Sequence, residues 1–194
     1  MSIVSVFDFD GTLIFGDSIK IALSYRYKNR ITFIWKYYLS CPGGLFLSFF
    51  GNYTIIRLHR KKLLRESLVW LESSDFGCHI KSTFIVNSIN EMKEALNGGQ
   101  IVVLVTASFK ELVSLMLSDY QNITIIAESL YEQLPRIING EEKAVLLREF
   151  LADNNYDILR VFGNTKGDFA MLKMAEEPFW VNKTGEVSVW KEFV

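Results

Sequence analysis

A chain of 194 residues, 49% hydrophobic and 14% aromatic, has material for one sizeable core, or for a core with a modest inserted unit, and is not disordered. Its formal net charge of −1 offers no overall attraction to a nucleic-acid backbone, which leaves small molecules as the default substrates. Cys41 and Cys78 sit in no CxxC or Cys/His spacing and read as reduced thiols, and no basic leader precedes the first apolar run, so the expected location is cytoplasmic.

The chain opens on Val4-Ser5-Val6-Phe7, a β-branched and aromatic run that predicts a strand buried on both faces. It stops at Asp8-Phe9-Asp10-Gly11-Thr12-Leu13, two carboxylates one residue apart followed by Gly-Thr. Ligands of open α/β sheets bind outside the carboxyl ends of the strands, so acids placed there mark a candidate site. Next come Gly16 as a turn residue, Asp17 or Ser18 as a helix N-cap, and Ile19 to Tyr27 with helical spacing.

Ile31 to Ile56 contains one charge, Lys36, and many aromatics, among them Phe33, Trp35, Tyr37 and Tyr38. Pro42-Gly43-Gly44 divides the run into pieces too short to cross a bilayer, which needs about 20 consecutive apolar residues. Two readings stand: a pair of short helices packed on each other, or an interfacial hairpin or acyl-chain pocket followed by the basic run Arg57, Arg60, Lys61, Lys62 and Arg65. Arg57 to Leu71 predicts a basic amphipathic helix with Leu58, Leu63, Leu64, Leu68 and Leu71 as its apolar set. Ser73-Ser74-Asp75 and Gly77 predict a turn, and Ile85, Ile89, Met92 and Leu96 one face of a further helix closed by Asn97-Gly98-Gly99.

An alternation of strands and helices then takes over. Ile101 to Val105 is a strand ending at Thr106-Ala107-Ser108, with Leu112 to Met116 as the next helix; Ile123 to Ala127 is a third strand. Residues 128 to 140, with Pro135 and Asn139-Gly140, suggest a short hairpin or excursion. Glu141 to Leu151 is a helix carrying Lys143 near its start, Ile158 to Phe162 a strand, Asp168 to Ala175 a helix and Phe179 to Val181 a final strand. The fold class is α/β, a doubly wound parallel sheet of Rossmann type with a small all-helical cap. The core spans 1–15 and 81–194, and the cap insertion spans 16–80.

Polar residues fall at the ends of these strands in a specific order: Asp8 and Asp10, then Thr106, then Lys143, then Gly163-Asn164-Thr165-Lys166-Gly167-Asp168. That order, over residues 7 to 172, resembles the four motifs of the haloacid dehalogenase superfamily, in its phosphoserine-phosphatase-like branch. The resemblance implies a Mg²⁺-dependent phosphomonoester hydrolase. Asp8 would be the nucleophile that forms an aspartyl-phosphate and Asp10 the general acid and base, with Thr106 and Lys143 holding the phosphate. Gly11, Asp17, Ala107 and Ser108 would contact substrate, and Asp8, Asp10, Asn164 and Asp168 the metal. Asp17 stands seven positions after Asp10, where that branch places an acid facing substrate, and equally where a simple N-cap would sit.

Asn164 departs from the family pattern, which usually has an acid at that position. The substitution removes one negative charge from the metal shell and predicts weaker metal binding. Halide displacement by the same nucleophile would leave Asp10 idle. A phosphomutase remains open, as does a catalytically weak or silent phosphate-binding protein. The apolar, basic cap resembles that of bacterial lipid-phosphate phosphatases, so the expected partner is a small phosphate ester or a lipid phosphate, with possible peripheral membrane contact through 31–65 and no nucleic acid.

Overall fold

The computed structural model describes residues 3–39, 53–156 and 158–191. Its first apolar run forms β1, Ile3–Phe7, at the centre of the sheet. The other strands are β2, Ile101–Phe109, β3, Ile123–Glu128, β4, Ile158–Gly163, β5, Glu177–Val181, and β6, Val187–Val189. Their order is β3-β2-β1-β4-β5-β6, parallel throughout except for the antiparallel pair β5 and β6. Phe7 is in register with Leu104 on one side and Phe162 on the other, so Asp8 leaves the carboxyl edge between the ends of β2 and β4.

Among the described residues between β1 and β2 the named elements are all helical: α1, Ser18–Arg26, α2, Arg30–Ile34, which continues as a π-helical turn over Trp35–Leu39, α3, Tyr53–Glu72, α4, Phe76–Lys81, and α5, Val86–Asn97. The later helices are α6, Lys110–Met116, α7, Glu141–Ala152, and α8, Phe169–Leu172. Side chains alternate across the sheet as period-two strands require. Phe7, Leu104 and Phe162 join one buried cluster with Leu23 of α1, Leu64 and Leu68 of α3, Met92 of α5 and Leu112 of α6. Val4, Val6, Val103 and Val161 join a second on the opposite face with Ala144 and Leu147 of α7 and Met171 of α8. The first cluster runs without a break from the sheet into the helices that precede β2.

Several details differ from the sequence reading, each for a physical reason. β2 continues past Thr106 to Phe109 through a register shift between Val105 and Phe109, an irregularity of the kind that re-aims side chains at a sheet edge. Residues 129–140 contain no strand, so the hairpin option falls and the excursion remains, pinned by buried Leu130 and Ile138. Gly77 lies inside α4 rather than in a turn. The helix expected over 168–175 shrinks to α8, preceded by a 3₁₀ turn at Lys166–Asp168. β6 was not anticipated. Leu58, expected in the apolar set of α3, faces solvent, while Arg57 and Lys61 of the same helix are buried. Of the aromatic run, residues 40–52 lie outside the described residues, as does Cys41; Cys78 is a free, exposed thiol.

Candidate active site

The carboxyl edge of β1 carries a buried three-charge cluster. Lys143 Nζ donates to Asp8 Oδ1 at 2.6 Å and to Asp168 Oδ1 at 2.7 Å, all three side chains being nearly inaccessible to solvent. Lys143 sits in the first turn of α7, where the helix dipole disfavours a cation, so its place there needs the two carboxylates. Burial by itself works to lower the Lys143 pKa, and Asp8 and Asp168 overcome it, so the ammonium is held charged well above its ordinary range.

Asp168 is anchored on its other side as well. Its Oδ2 accepts from the Asn164 and Thr165 amides at 3.1 and 2.9 Å and from Thr165 Oγ1 at 2.9 Å, a reciprocal capping box that turns the loop after β4. A Cβ at Gly163 would lie 2.6 Å from Asp168 Cβ, which is why that position is glycine. Both Asp168 oxygens are therefore engaged by Lys143 and by its own loop, and a cation would have to share them.

Two other side chains expected at a metal, Asp8 and Asn164, share a hydrogen-bond partner. Thr12 Oγ1 is 3.3 Å from Asp8 Oδ2 and 3.3 Å from Asn164 Oδ1, bridging the first and last motifs. Gly11, at φ +80°, brings its backbone so near Asn164 that an added Cβ would sit 1.9 Å from Nδ2. Asp10, Gly11 and Asn164 line a cavity of about 540 Å³ together with Phe15, Trp180, Asn182 and Lys183.

Desolvation pushes the Asp8 carboxyl up to about 6; Lys143 pulls it down and Asp168 pushes it up again. Desolvation, then the charges of Asp8 and Asp17, raise Asp10 to about 7, against a hydrogen bond from the Ser18 amide to Asp10 Oδ1 at 2.9 Å. Two crowded acids beside an amide carbonyl make a set of hard oxygen donors that a divalent cation would relieve. Among the described residues no three His, Cys, Asp or Glu side chains converge on a metal position, so a third protein oxygen would come from Asn164.

Thr106 is buried at the irregularity of β2, where its Oγ1 accepts from the Ser108 amide at 3.1 Å and keeps its own proton to donate. Ser108 Oγ lies 2.6 Å from Ser18 Oγ, so Asp10, Ser18, Ser108 and Thr106 form a hydrogen-bonded chain across the site. Asp17 caps α1, accepting from the Lys20 amide at 2.9 Å, and reaches Asp10 through its charge. The Ala107 carbonyl accepts from Arg57 Nη2 at 3.0 Å. Arg57 in turn donates through Nε to Glu128 Oε2 at 2.5 Å, and Lys61 to Glu128 Oε1 at 2.6 Å, a second buried cluster that ties α3 to the end of β3. Sequence reading missed the roles of Thr12, Thr165, Ser18 as a bridge, and Glu128. Only Thr165, in the capping pattern Thr-x-x-Asp, left a local signal.

A family model described as haloacid dehalogenase-like hydrolase matches residues 5–173. No curated protein matches the chain. Among solved structures, a protein of unknown function from Bordetella pertussis Tohama I is similar at TM-score 0.70 and 15% identity, over 91% of this chain and 88% of that one. A phosphoserine phosphatase in apo form is similar at TM-score 0.59 and 15% identity, over 94% and 86%. A phosphoserine phosphohydrolase-like protein from Francisella tularensis subsp. tularensis SCHU S4 follows at TM-score 0.53 and 16% identity, over 94% and 87%. At such identities these likenesses speak to the fold.

Proposed function

The chain belongs to the haloacid dehalogenase-like hydrolase family, and from that premise we propose that it hydrolyses phosphate monoesters through an aspartyl-phosphate on Asp8. The observation that carries the reading is Lys143, a buried cation held between Asp8 and Asp168 at the end of the central strand. Such an arrangement holds one carboxylate in place and supplies positive charge where a phosphate would meet it.

In the first half-reaction an Asp8 oxygen forms a bond to phosphorus while the ester P–O bond breaks, and Asp10 gives its proton to the departing alkoxide. Asp8 Oδ1 is held by Lys143, which leaves Oδ2, with Thr12 at 3.3 Å, as the attacking atom. In the second half-reaction Asp10 takes a proton from a water whose oxygen attacks phosphorus; inorganic phosphate departs and Asp8 is restored. Asp10, which accepts from the Ser18 amide at 2.9 Å, takes both duties. Thr106 and Lys143 hold the equatorial oxygens, and Asp168 keeps Lys143 in place. Asp8, Asp10 and Asn164 are the oxygens that would hold Mg²⁺, whose charge, when bound, lets a phosphate dianion approach a carboxylate. The helices between 16 and 80 act as a cap over this edge, and the leaving group is the alkoxide of a small molecule or of a lipid.

The asparagine at 164 favours a second reading, a phosphate-binding protein with weak turnover. A screen of soluble and lipid phosphate esters with and without Mg²⁺, run beside Asp8→Asn, separates the two. Metal-dependent release of phosphate that Asp8→Asn abolishes supports the hydrolase; full activity in Asp8→Asn, or no turnover of any ester, overturns it.

A further inference from the structure

The charges of this chain are sorted along its length. Ten of its 21 Lys and Arg residues fall between positions 18 and 65, and none of its 22 Asp and Glu residues does, which leaves 11 cations facing 22 acids in the remainder. Some of the ten serve the interior: Arg57 and Lys61 hold Glu128, and Arg26 stacks on Trp70 with 4.6 Å to the ring centroid. Lys28, Arg30 and Lys62 remain exposed.

The same region turns apolar side chains outward. Ile31, Ile34, Trp35 and Tyr38 repeat at the spacing of one helical face and are 77, 40, 52 and 42% exposed. The other side of this segment packs inward through Phe33 and Tyr37, whose rings stack at 5.2 Å. A helix on a water-facing surface ordinarily presents its polar residues there; this one presents an aliphatic and aromatic stripe, with Lys28 and Arg30 at its head. His59 Nε2 lies 2.8 Å from the Lys36 carbonyl and joins the segment to α3, whose Leu58, 41% exposed, and Lys62 border a shared groove of about 510 Å³. Among the described residues that line the groove the single acid is Glu66.

We propose that this face, the outer stripe of α2 and its π-helical turn together with Leu58 and Lys62 of α3, is a docking surface for an anionic membrane. Aliphatic side chains would enter the acyl boundary, Trp35 and Tyr38 sit at headgroup level, and the cations meet lipid phosphates and acidic headgroups. Among the described residues no helix is long and apolar enough to cross a bilayer, so the contact is one of lying on the surface. Charge complementarity selects this occupant. A second copy would set one acid-poor cationic face against another, and like charges across an interface repel. The inference is independent of the phosphatase reading, since none of these residues belongs to the strand-end site.

The test is flotation of the full chain with vesicles of neutral phosphatidylcholine and with vesicles containing about one third phosphatidylglycerol. Binding to the anionic vesicles should exceed binding to the neutral ones by about tenfold or more and fall with added salt. Ile34→Glu with Trp35→Glu should lower it by about tenfold or more, and Arg30→Glu or Lys62→Glu by about fivefold each. Trp35→Phe should keep binding but lose the fluorescence quenching that brominated lipid chains impose on the wild type. These positions are exposed, so helical circular dichroism and melting of the variants in lipid-free buffer should match the wild type. Equal affinity for the two vesicles, no affinity for either, or undiminished binding by the double glutamate variant overturns the proposal. So does a concentration-dependent dimer that the double variant dissolves while vesicles go unbound, since the face then belongs to a second copy.

Discussion

Asp168 holds the Lys143 ammonium at 2.7 Å, nearly the 2.6 Å at which Lys143 meets Asp8, so one buried cation is shared evenly by two carboxylates from opposite ends of the sequence. The cluster is one charge short of neutral, and that deficit shapes its response to mutation and to pH.

Lys143→Met removes the shared cation and leaves two buried acids facing each other. The expected cost is about 3–5 kcal/mol at pH 8, because uncompensated charge in the interior is expensive. At pH 4 the loss should be much smaller, since Asp8, already raised to about 6 by burial, can take up a proton. Urea denaturation of the two proteins at both pH values reads the difference; an equal cost at the two pH values speaks against the buried charges as its cause.

Asp8 and Asp10 make the metal-free protein less stable as pH rises. Their folded pKa values, about 6 and about 7, stand above the ordinary value of 3.8, so the folded state binds more protons than the unfolded chain between about pH 4 and pH 7. Stability is greatest below pH 4 as far as these two groups are concerned and is lost as pH rises through 6 and 7. Thermal melting in chelator should show a falling midpoint over that range, and Mg²⁺ should restore more at pH 7.5 than at pH 4.5.

Asn164→Asp places a third carboxylate on the oxygen set. Mg²⁺ should bind about tenfold more tightly, and the metal-free protein should melt lower because another acid joins the crowd. Titration calorimetry and melting in chelator measure the two effects separately. An unchanged Mg²⁺ half-saturation counts against Asn164 as a ligand.

Glu128→Leu strands Arg57 and Lys61 together in the interior, with an expected loss of about 3–5 kcal/mol. Replacing all three, Arg57→Met and Lys61→Met with Glu128→Leu, should recover most of that loss, because an apolar trio of similar volume carries no desolvation penalty. If the triple variant is no more stable than Glu128→Leu alone, shape rather than charge governs the contact.

What could be read in the sequence divides along the range of the interactions involved. β1 and its acids were legible because a strand buried on both faces is continuously apolar and ends where charge begins; Thr106 was legible as the first polar residue after the apolar run Ile101 to Val105, although β2 itself goes on to Phe109. Lys143 and Asn164 were legible only as members of an ordered series. The cluster at Glu128 was hidden: Arg57 and Lys61 fit the polar stripe of a surface helix, and their partner lies 71 and 67 residues away. β6 was hidden because Val187-Ser188-Val189 is too short to show a period and is added at the sheet edge by pairing with β5. The exposed stripe of α2 was visible as composition, but only the fold could tell which way it faces.

The cluster of Arg57, Lys61 and Glu128 also bears on how the helices above the site could move. Swinging α3 away from β3 would part Glu128 from both of its cations and expose buried charge on each side. Opening on that side is therefore a discrete step rather than a graded breathing motion, while the cavity beside Asp10, lined also by Phe15 and Trp180, includes none of the three charges in its wall.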